Sequence, residues 1–338
     1  MAAAHPPRVL HAPVEVAGQM MLSVVGQREL GAQATGFARR HRFDFEPRPD
    51  IVPSGGRLGY LRAAAGAIRA HDVIHFYFGQ SFLPRQLDAH VLPRLGKRVV
   101  IEFLGSDIRM PSVEAGRNPH YVRIEGEDDA TAIRLMKLWS EVTRGHVIVG
   151  DHSLDAFMAP YFPHIHVIGS RVNVRELIPL APDPESRRMR VVHSPTHLAA
   201  KGTEYVRRAV SELIGRGAPI DYIEVQNRSH REALEIYRGA DLIVDQLCSG
   251  GYGVFAAEAM SLAKPVVCSM IPEIEATYPP VLPIINANPD TIEQVLAEWV
   301  ERPRERHELG LASRAYAERI HDHRVVARRM LDAYETLP

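Results

Sequence analysis

Cysteine is nearly absent: Cys248 and Cys268 are the only two in 338 residues. They form no CxxC pair and keep no Cys/His ligand spacing, so neither a disulfide framework nor a metal site is expected, and a reducing cytoplasm suits the chain best. Lysine is scarce too. Of 40 basic residues only Lys97, Lys137, Lys201 and Lys264 are lysines, which singles out each of them. Charge of one sign is not in excess. A formal net charge of -1 argues against bulk attraction to nucleic acid or to an anionic bilayer and leaves room only for a local basic face. No window approaches the roughly 18 uninterrupted apolar residues of a membrane span. The opening stretch "MAAAHPPRVLHAPVEVAG" also lacks the basic start and apolar core of an export signal. The expectation is a cytoplasmic protein with no nucleic-acid partner and no obvious membrane association.

Apolar residues are plentiful at 46%, with 24% charged, enough to bury the cores of two domains of ordinary size. Short β-branched or aromatic runs at 8–12, 72–78, 98–104, 146–150 and 165–169 alternate with helical patterns, among them Gln19 to Leu30, Leu58 to Ala70 and Ala130 to Arg144. Such alternation signals parallel sheets flanked by helices. After Ile178 comes "PLAPDPESRR", the best linker in the chain. The rhythm then restarts with strands at 190–194, 220–225, 241–246 and 265–269 and helices near 203–216, 230–238 and 254–262. The final stretch from Glu305 reads as helix throughout. Two doubly wound domains follow, 1–178 and 179–317, with a C-terminal helix of about 318–338 packing back on the first. In such sheets ligands lie at the C-terminal ends of the strands.

Four stations fall at those ends. In "HAPVEVAGQMM" a loop with Gly18 separates a strand from a helix, where backbone can approach an anion or an acceptor; the same glycine equally serves a plain turn. In "EFLGSDIR", Gly105, Ser106 and Asp107 follow a strand, and Ser106 or Asp107 either faces a ligand or caps the next turn. In "HSPTHLAAKGTEYV" a strand ends near His193, and Lys201-Gly202-Thr203 opens a helix with Thr203 as N-cap. A cation beside the positive end of a helix dipole is unfavourable unless an anion is also present, and a phosphate would supply it. In "SGGYGVFAAEAM", Gly250, Gly251 and Gly253 expose N–H groups beside the first amides of a helix from Val254, enough to hold a diphosphate without metal. Glu258, an anion itself, suits the hydroxyls of a ribose, or is a surface glutamate.

Taken in order, "VAGQ", "GSDIR", "THLAAKGTE" and "GYGVFAAEAMSLAKPVV" resemble the family 4-like glycosyltransferases, retaining GT-B enzymes with nucleotide-sugar donors. The resemblance spans nearly the whole chain. It implies an α/β GT-B-like fold, two Rossmann-like doubly wound domains facing a central cleft, with donor bound by the C-terminal domain and acceptor largely by the N-terminal one. On the donor side it implies Gly18, His193, Ser194, His197, Lys201, Gly251, Tyr252, Gly253, Val254, Phe255 and Glu258, with Lys201 neutralising the diphosphate and Glu258 holding ribose hydroxyls. Acceptor-side candidates are Gln19, His75, Gln80, Ser106 and Asp107, and the catalytic set is Lys201, Glu258 and Asp107. No cofactor is implied; a UDP- or GDP-linked sugar is the substrate and the leaving diphosphate takes the acceptor proton. Two positions depart from the family. Gly250 stands where a glutamate often faces the donor sugar, and the approach to Lys201, Thr196 to Ala200 through Leu198, lacks the usual arginine.

Other readings stay open: a nucleotide-sugar-binding protein whose site has decayed, a nucleotide-sugar epimerase, or a pseudo-sugar coupling enzyme on the same architecture. The acidic run "EGEDD" (125–129) reads as a solvated helix start, with attraction of an amine-bearing acceptor as a sharper alternative. Phe76, Tyr77 and Phe78 read as buried strand.

Overall fold

The computed structural model describes residues 7–40, 46–279 and 281–337. Strand and helix alternate along the first half: β1 (Arg8–Ala12), α1 (Gln19–Glu29), β2 (Gln33–Gly36), α2 (Gly56–Ala70), β3 (Val73–Tyr77), α3 (Val91–Arg94), β4 (Arg98–Phe103), α4 (Pro111–Arg117), α5 (Asp129–Val142), β5 (His146–Val149), α6 (Asp155–Met158) and β6 (His164–Val167). The second half continues with β7 (Met189–His193), α7 (Leu198–Lys201), α8 (Thr203–Gly215), β8 (Ile220–Glu224), α9 (His230–Arg238), β9 (Leu242–Val244), α10 (Val254–Ser261) and β10 (Val266–Cys268). It closes with α11 (Pro272–Glu275), β11 (Ile284–Asn286), α12 (Ile292–Val300), α13 (Pro303–Ile320) and α14 (His323–Glu335). Among the described residues no helix is long and apolar enough to cross a membrane.

The chain divides into two compact units. One comprises Met1–Pro111, Gly126–Arg171 and His323–Pro338; the other comprises Ser112–Glu125 and Val172–Asp322. The first holds a parallel sheet in the order β2-β1-β3-β4-β5-β6. Parallel crossovers are right-handed, so the direction of each connection decides its face. The step from β1 to β2 runs one way and puts α1 on one face; the steps from β2 through β5 run the other way and put α2, α3 and α5 on the opposite face. On the α1 side Met20, Met21 and Val24 pack with Val326, Met330 and Tyr334 of α14 over Val9, Val73, Tyr77 and Val100. On the other side Phe76 packs on Trp139 and Phe82.

The second unit holds a parallel sheet in the order β11-β10-β9-β7-β8. Val206, Val210 and Leu213 of α8 pack with Ile292 and Leu296 of α12 on one face. Tyr237 of α9, Ala256 and Met260 of α10, and Tyr316 of α13 fill the other.

Two features differ from the sequence pattern. The strands β2 (QATG) and β11 (IIN) are too short to show a period of two and escape it. The C-terminal stretch is not one helix. It breaks at His321 and Asp322, where the His321 carbonyl accepts from Val172 N at 2.8 Å and Asp322 forms a parallel bridge with Val172.

Candidate functional site

In the second unit β7 and β9 are sheet neighbours whose connections leave in opposite directions, the switch point where open α/β sheets hold ligands. The chain leaves β7 through 194–202 and β9 through 245–253, and these two loops are tied together. Lys201 Nζ donates to Asp245 Oδ1 at 2.8 Å and to Gln246 Oε1 at 2.7 Å. Asp245 Oδ2 accepts from Gly253 N at 3.1 Å, and Gln246 Nε2 donates to the Gly251 carbonyl. Leu247 N donates to the Lys201 carbonyl at 3.2 Å. Gly202, with φ 73°, allows this approach, because a Cβ there would stand 2.9 Å from Leu247 Cβ.

From sequence, phosphate is the one partner expected for Lys201. The structure supplies Asp245, whose side chain has 0% exposure. One amide of the glycine turn, Gly253 N–H, is likewise already engaged. No side chain caps α10 at Gly253, and the first amides of a helix have no partner within the helix itself. Gly253, Val254, Phe255 and Glu258 are half-buried, while Gly251 and Tyr252 are buried. Tyr252 turns inward, its hydroxyl 3.2 Å from His321 Nε2, and can face a ligand only through its backbone.

Of the three glycines in this turn, only Gly250 adopts a positive φ, at 74°. A Cβ there would meet Ile271 Cγ2 at 3.1 Å and Asn118 Nδ2 at 3.4 Å. This turn therefore selects glycine where the resembled family often has glutamate.

Glu258, on α10, is not solitary. His230 at the start of α9 places Nε2 2.7 Å from Glu258 Oε1. Burial works against the charged ring, and the hydrogen bond and charge of Glu258 override it, so the His230 pKa is raised. Ser229 and Glu232 form a capping box that fixes this end of α9.

His193 does not face a ligand. It is fully buried, Nδ1 donating to the Val244 carbonyl at 2.8 Å and Nε2 accepting from Thr203 Oγ1 at 2.9 Å. Burial lowers its pKa, consistent with this neutral tautomer. Thr203 is thus a partner of His193, and Gly202 stands at the N-cap in its place. His197 caps the short α7 through Nδ1, accepting from Ala200 N at 3.2 Å. Ser194 Oγ accepts from the Tyr237 hydroxyl at 2.7 Å.

In the first unit Gly18 adopts φ 74° before α1, but the anion position at that helix start is filled from within. Glu15 accepts from Met20 N at 3.2 Å and Met21 N at 2.9 Å. Gln19 is buried with its amide clamped to Arg171, accepting from Arg171 N at 2.8 Å and donating to its carbonyl at 3.0 Å. His75 has 0% exposure. Its Nδ1 meets the Tyr334 hydroxyl at 2.6 Å, its ring stacks on Tyr77, and its Nε2 lies 3.3 Å from Glu102, which Arg171 neutralises at 2.7 Å. Gln19 and His75 therefore serve the interior and are withdrawn as acceptor ligands.

Ser106, Asp107 and Gln80 remain half-buried at strand ends. Asp107 accepts from Gly105 N at 2.9 Å and Leu104 N at 3.2 Å, and so reaches back to hold the loop that follows β4. Burial outweighs these bonds and pushes its pKa up to about 7. Asp151, after β5, is also raised by burial, and the positive charge of Arg109 acts on both carboxyls. Arg109 is held by Glu127 at 2.8 Å. Glu127 is buried, so the acidic run 125–129 is not simply a solvated start; Asp128 caps α5 by accepting from Thr131 N.

Asp245, Gln246, His230, Glu15 and Arg109 are the participants that the sequence reading passed over. Asp245 and Gln246 had a signal, a polar pair closing the apolar strand of "DLIVDQ". The others depend on tertiary contacts. Among the described residues no group of three or more His, Cys, Asp or Glu is placed to hold a metal ion.

No protein-family model matches the chain, and no curated protein sequence matches it. Solved structures do. The chain is similar to a sucrose-phosphate synthase from Thermosynechococcus elongatus (TM-score 0.65, 15% identity, 98% of each chain covered). It is similar to HepE from Anabaena in complex with UDP-glucose (TM-score 0.64, 11% identity, 98% of this chain and 100% of that one). A glycosyltransferase from Rickettsia africae ESF-5 aligns with TM-score 0.63 and 13% identity over 98% of each chain. With its two parallel α/β sheets, the chain has the GT-B fold of these structures.

Proposed function

We propose that the chain is a glycosyltransferase that moves a sugar, with retention, from a nucleotide diphosphate sugar to the hydroxyl of a small acceptor, without metal. The observation that carries the proposal is the uncapped start of α10 beside Lys201 at the β7/β9 switch point, with Glu258 one turn further on. Similarity in fold to a protein bound to UDP-glucose supports the same assignment of the donor. In this reading the α10 amides and Lys201 stabilise charge developing on the leaving diphosphate, Lys201 sharing its ammonium between Asp245 and phosphate. Glu258 takes the ribose hydroxyls, and the leaving diphosphate accepts the acceptor proton. Asp107, Ser106 and Gln80 are the acceptor-side residues. The site is cytoplasmic and the donor is UDP- or GDP-linked.

Incubation with a panel of nucleotide sugars and small polyol or amine-bearing acceptors, read by mass spectrometry, tests this. A glycosylated product with release of nucleoside diphosphate is expected. Absence of both, with every donor that binds, would leave the second reading, a nucleotide-sugar-binding protein without transfer. The Lys201–Asp245 pair and Gly250 favour that alternative.

A further inference from the structure

The near-zero charge of the whole chain conceals a strong local asymmetry. Between residues 52 and 98 there are seven basic side chains, Arg57, Arg62, Arg69, Arg85, Arg94, Lys97 and Arg98, against two acids. Neither acid is available: Asp72 pairs with Arg8 at 2.7 Å, and Asp88 is buried against Ser81, Phe82 N and Leu83 N. The same segment carries the six large hydrophobic side chains exposed in the first unit among the described residues: Val52, Leu58, Leu61, Leu87, Val91 and Leu95. Leu58, Leu87 and Leu95 are 59%, 66% and 63% exposed.

These side chains belong to one layer. Right-handed crossovers put α2 and α3 on the same sheet face, and the Tyr60 hydroxyl of α2 donates to the Phe82 carbonyl, just before the approach to α3, at 2.9 Å. In α2 only Ala64 and Ala67 are buried, and the helix contains three arginines and no acid. Leu87, Val91 and Leu95 recur every four residues while Ala89 and Leu92 turn inward. Beside Leu95 opens a pocket of about 200 Å³, lined by Pro93, Gly96, Lys97, Arg98 and Arg144 among others and by no carboxylate of the described residues.

We propose that this face of the first unit docks on a bilayer containing anionic phospholipid, with Leu58, Leu61, Leu87, Val91 and Leu95 entering the headgroup boundary and the pocket of Lys97, Arg98 and Arg144 receiving a lipid phosphate. Apolar contacts flanked by cations, with no acid available within the segment 52–98 itself, are what an interfacial element requires. A nucleic acid would use the cations but leave the leucines without a role.

The test is sedimentation of the full chain with phosphatidylcholine vesicles and with vesicles that also contain phosphatidylglycerol. Binding is expected only to the latter, weakening with salt. Lys97→Gln with Arg144→Gln should lower partitioning about 25-fold, each basic residue contributing about a fivefold factor. Leu87→Ser with Leu95→Ser should lower it with charge unchanged; circular dichroism melts verify that both double variants fold. Equal sedimentation with both vesicle types overturns the proposal. So does binding that the leucine pair leaves intact and that inorganic phosphate or single-stranded RNA abolishes, since the surface would then be a simple anion site.

Discussion

Lys201 and Asp245 form an ion pair at 2.8 Å, and the second oxygen of the same carboxylate accepts from Gly253 N at 3.1 Å. The proposed phosphate ligand and the glycine turn are thus held in register by one buried aspartate. Removing the lysine leaves that carboxylate buried without its counter-charge.

Lys201→Ala is accordingly expected to lose about 3–5 kcal/mol of stability in addition to activity. Lys201→Ala combined with Asp245→Asn should recover much of the stability and none of the transfer, which remains lowered by about two orders of magnitude through loss of a leaving-group contact. Urea denaturation of wild type, both single variants and the double variant reads the first effect, and turnover reads the second. Near-normal transfer by a folded double variant would overturn the role of Lys201.

Glu258 and His230 make a second coupled pair, at 2.7 Å. The His230 pKa is raised, so its contribution to stability is complete below the unfolded value near 6.5 and is lost as pH rises through the folded value. Glu258→Gln leaves burial unopposed, and the His230 resonance in an NMR titration should then move to a lower midpoint. In transfer assays the same variant should raise the donor KM more than it lowers kcat. An unmoved midpoint would show that the carboxylate does not govern the ring.

Asp107 changes stability with pH in the same direction as His230, but burial rather than an ion pair is the cause. Its pKa is raised to about 7 by burial, so the folded state binds a proton that the unfolded state has released. Wild type should lose stability as pH rises from about 4, the unfolded value, to about 7, then level off. Asp107→Asn keeps an acceptor for Gly105 N and Leu104 N, and its thermal melts should lack that slope. Parallel pH profiles for the two proteins would contradict the shift.

The two-domain α/β rhythm was legible because strands such as 98–103 and 189–193 carry near-continuous apolar runs, as strands buried on both faces must. Lys201 at the end of α7 and the glycine turn before α10 stand at the element ends where the sequence pattern puts them, with Glu258 in the second turn of α10. Their partners were not legible, because Asp245 lies 44 residues from Lys201 and His230 lies 28 from Glu258, and only the folded sheet joins them. His75 and Gln19 misled for a related reason. A polar residue within an apolar strand, as His75 in β3, or at a helix start, as Gln19, looks like a ligand contact until its fixed partners, Tyr334 and Arg171, come from distant parts of the chain.

Gly250 gives the last prediction. Its φ of 74° and the 3.1 Å approach of Ile271 make it a conformational requirement of the turn. Gly250→Ala and Gly250→Glu should each cost about 1–3 kcal/mol, because any L side chain pays for the left-handed backbone. The glutamate variant should not gain transfer, since the strained turn would displace Gly251 and Gly253 from Gln246 and Asp245. Denaturant midpoints and donor turnover decide the matter. A Gly250→Glu protein as stable as wild type and more active would mean that the turn tolerates the residue found in the resembled family, and that its absence here is no consequence of the backbone.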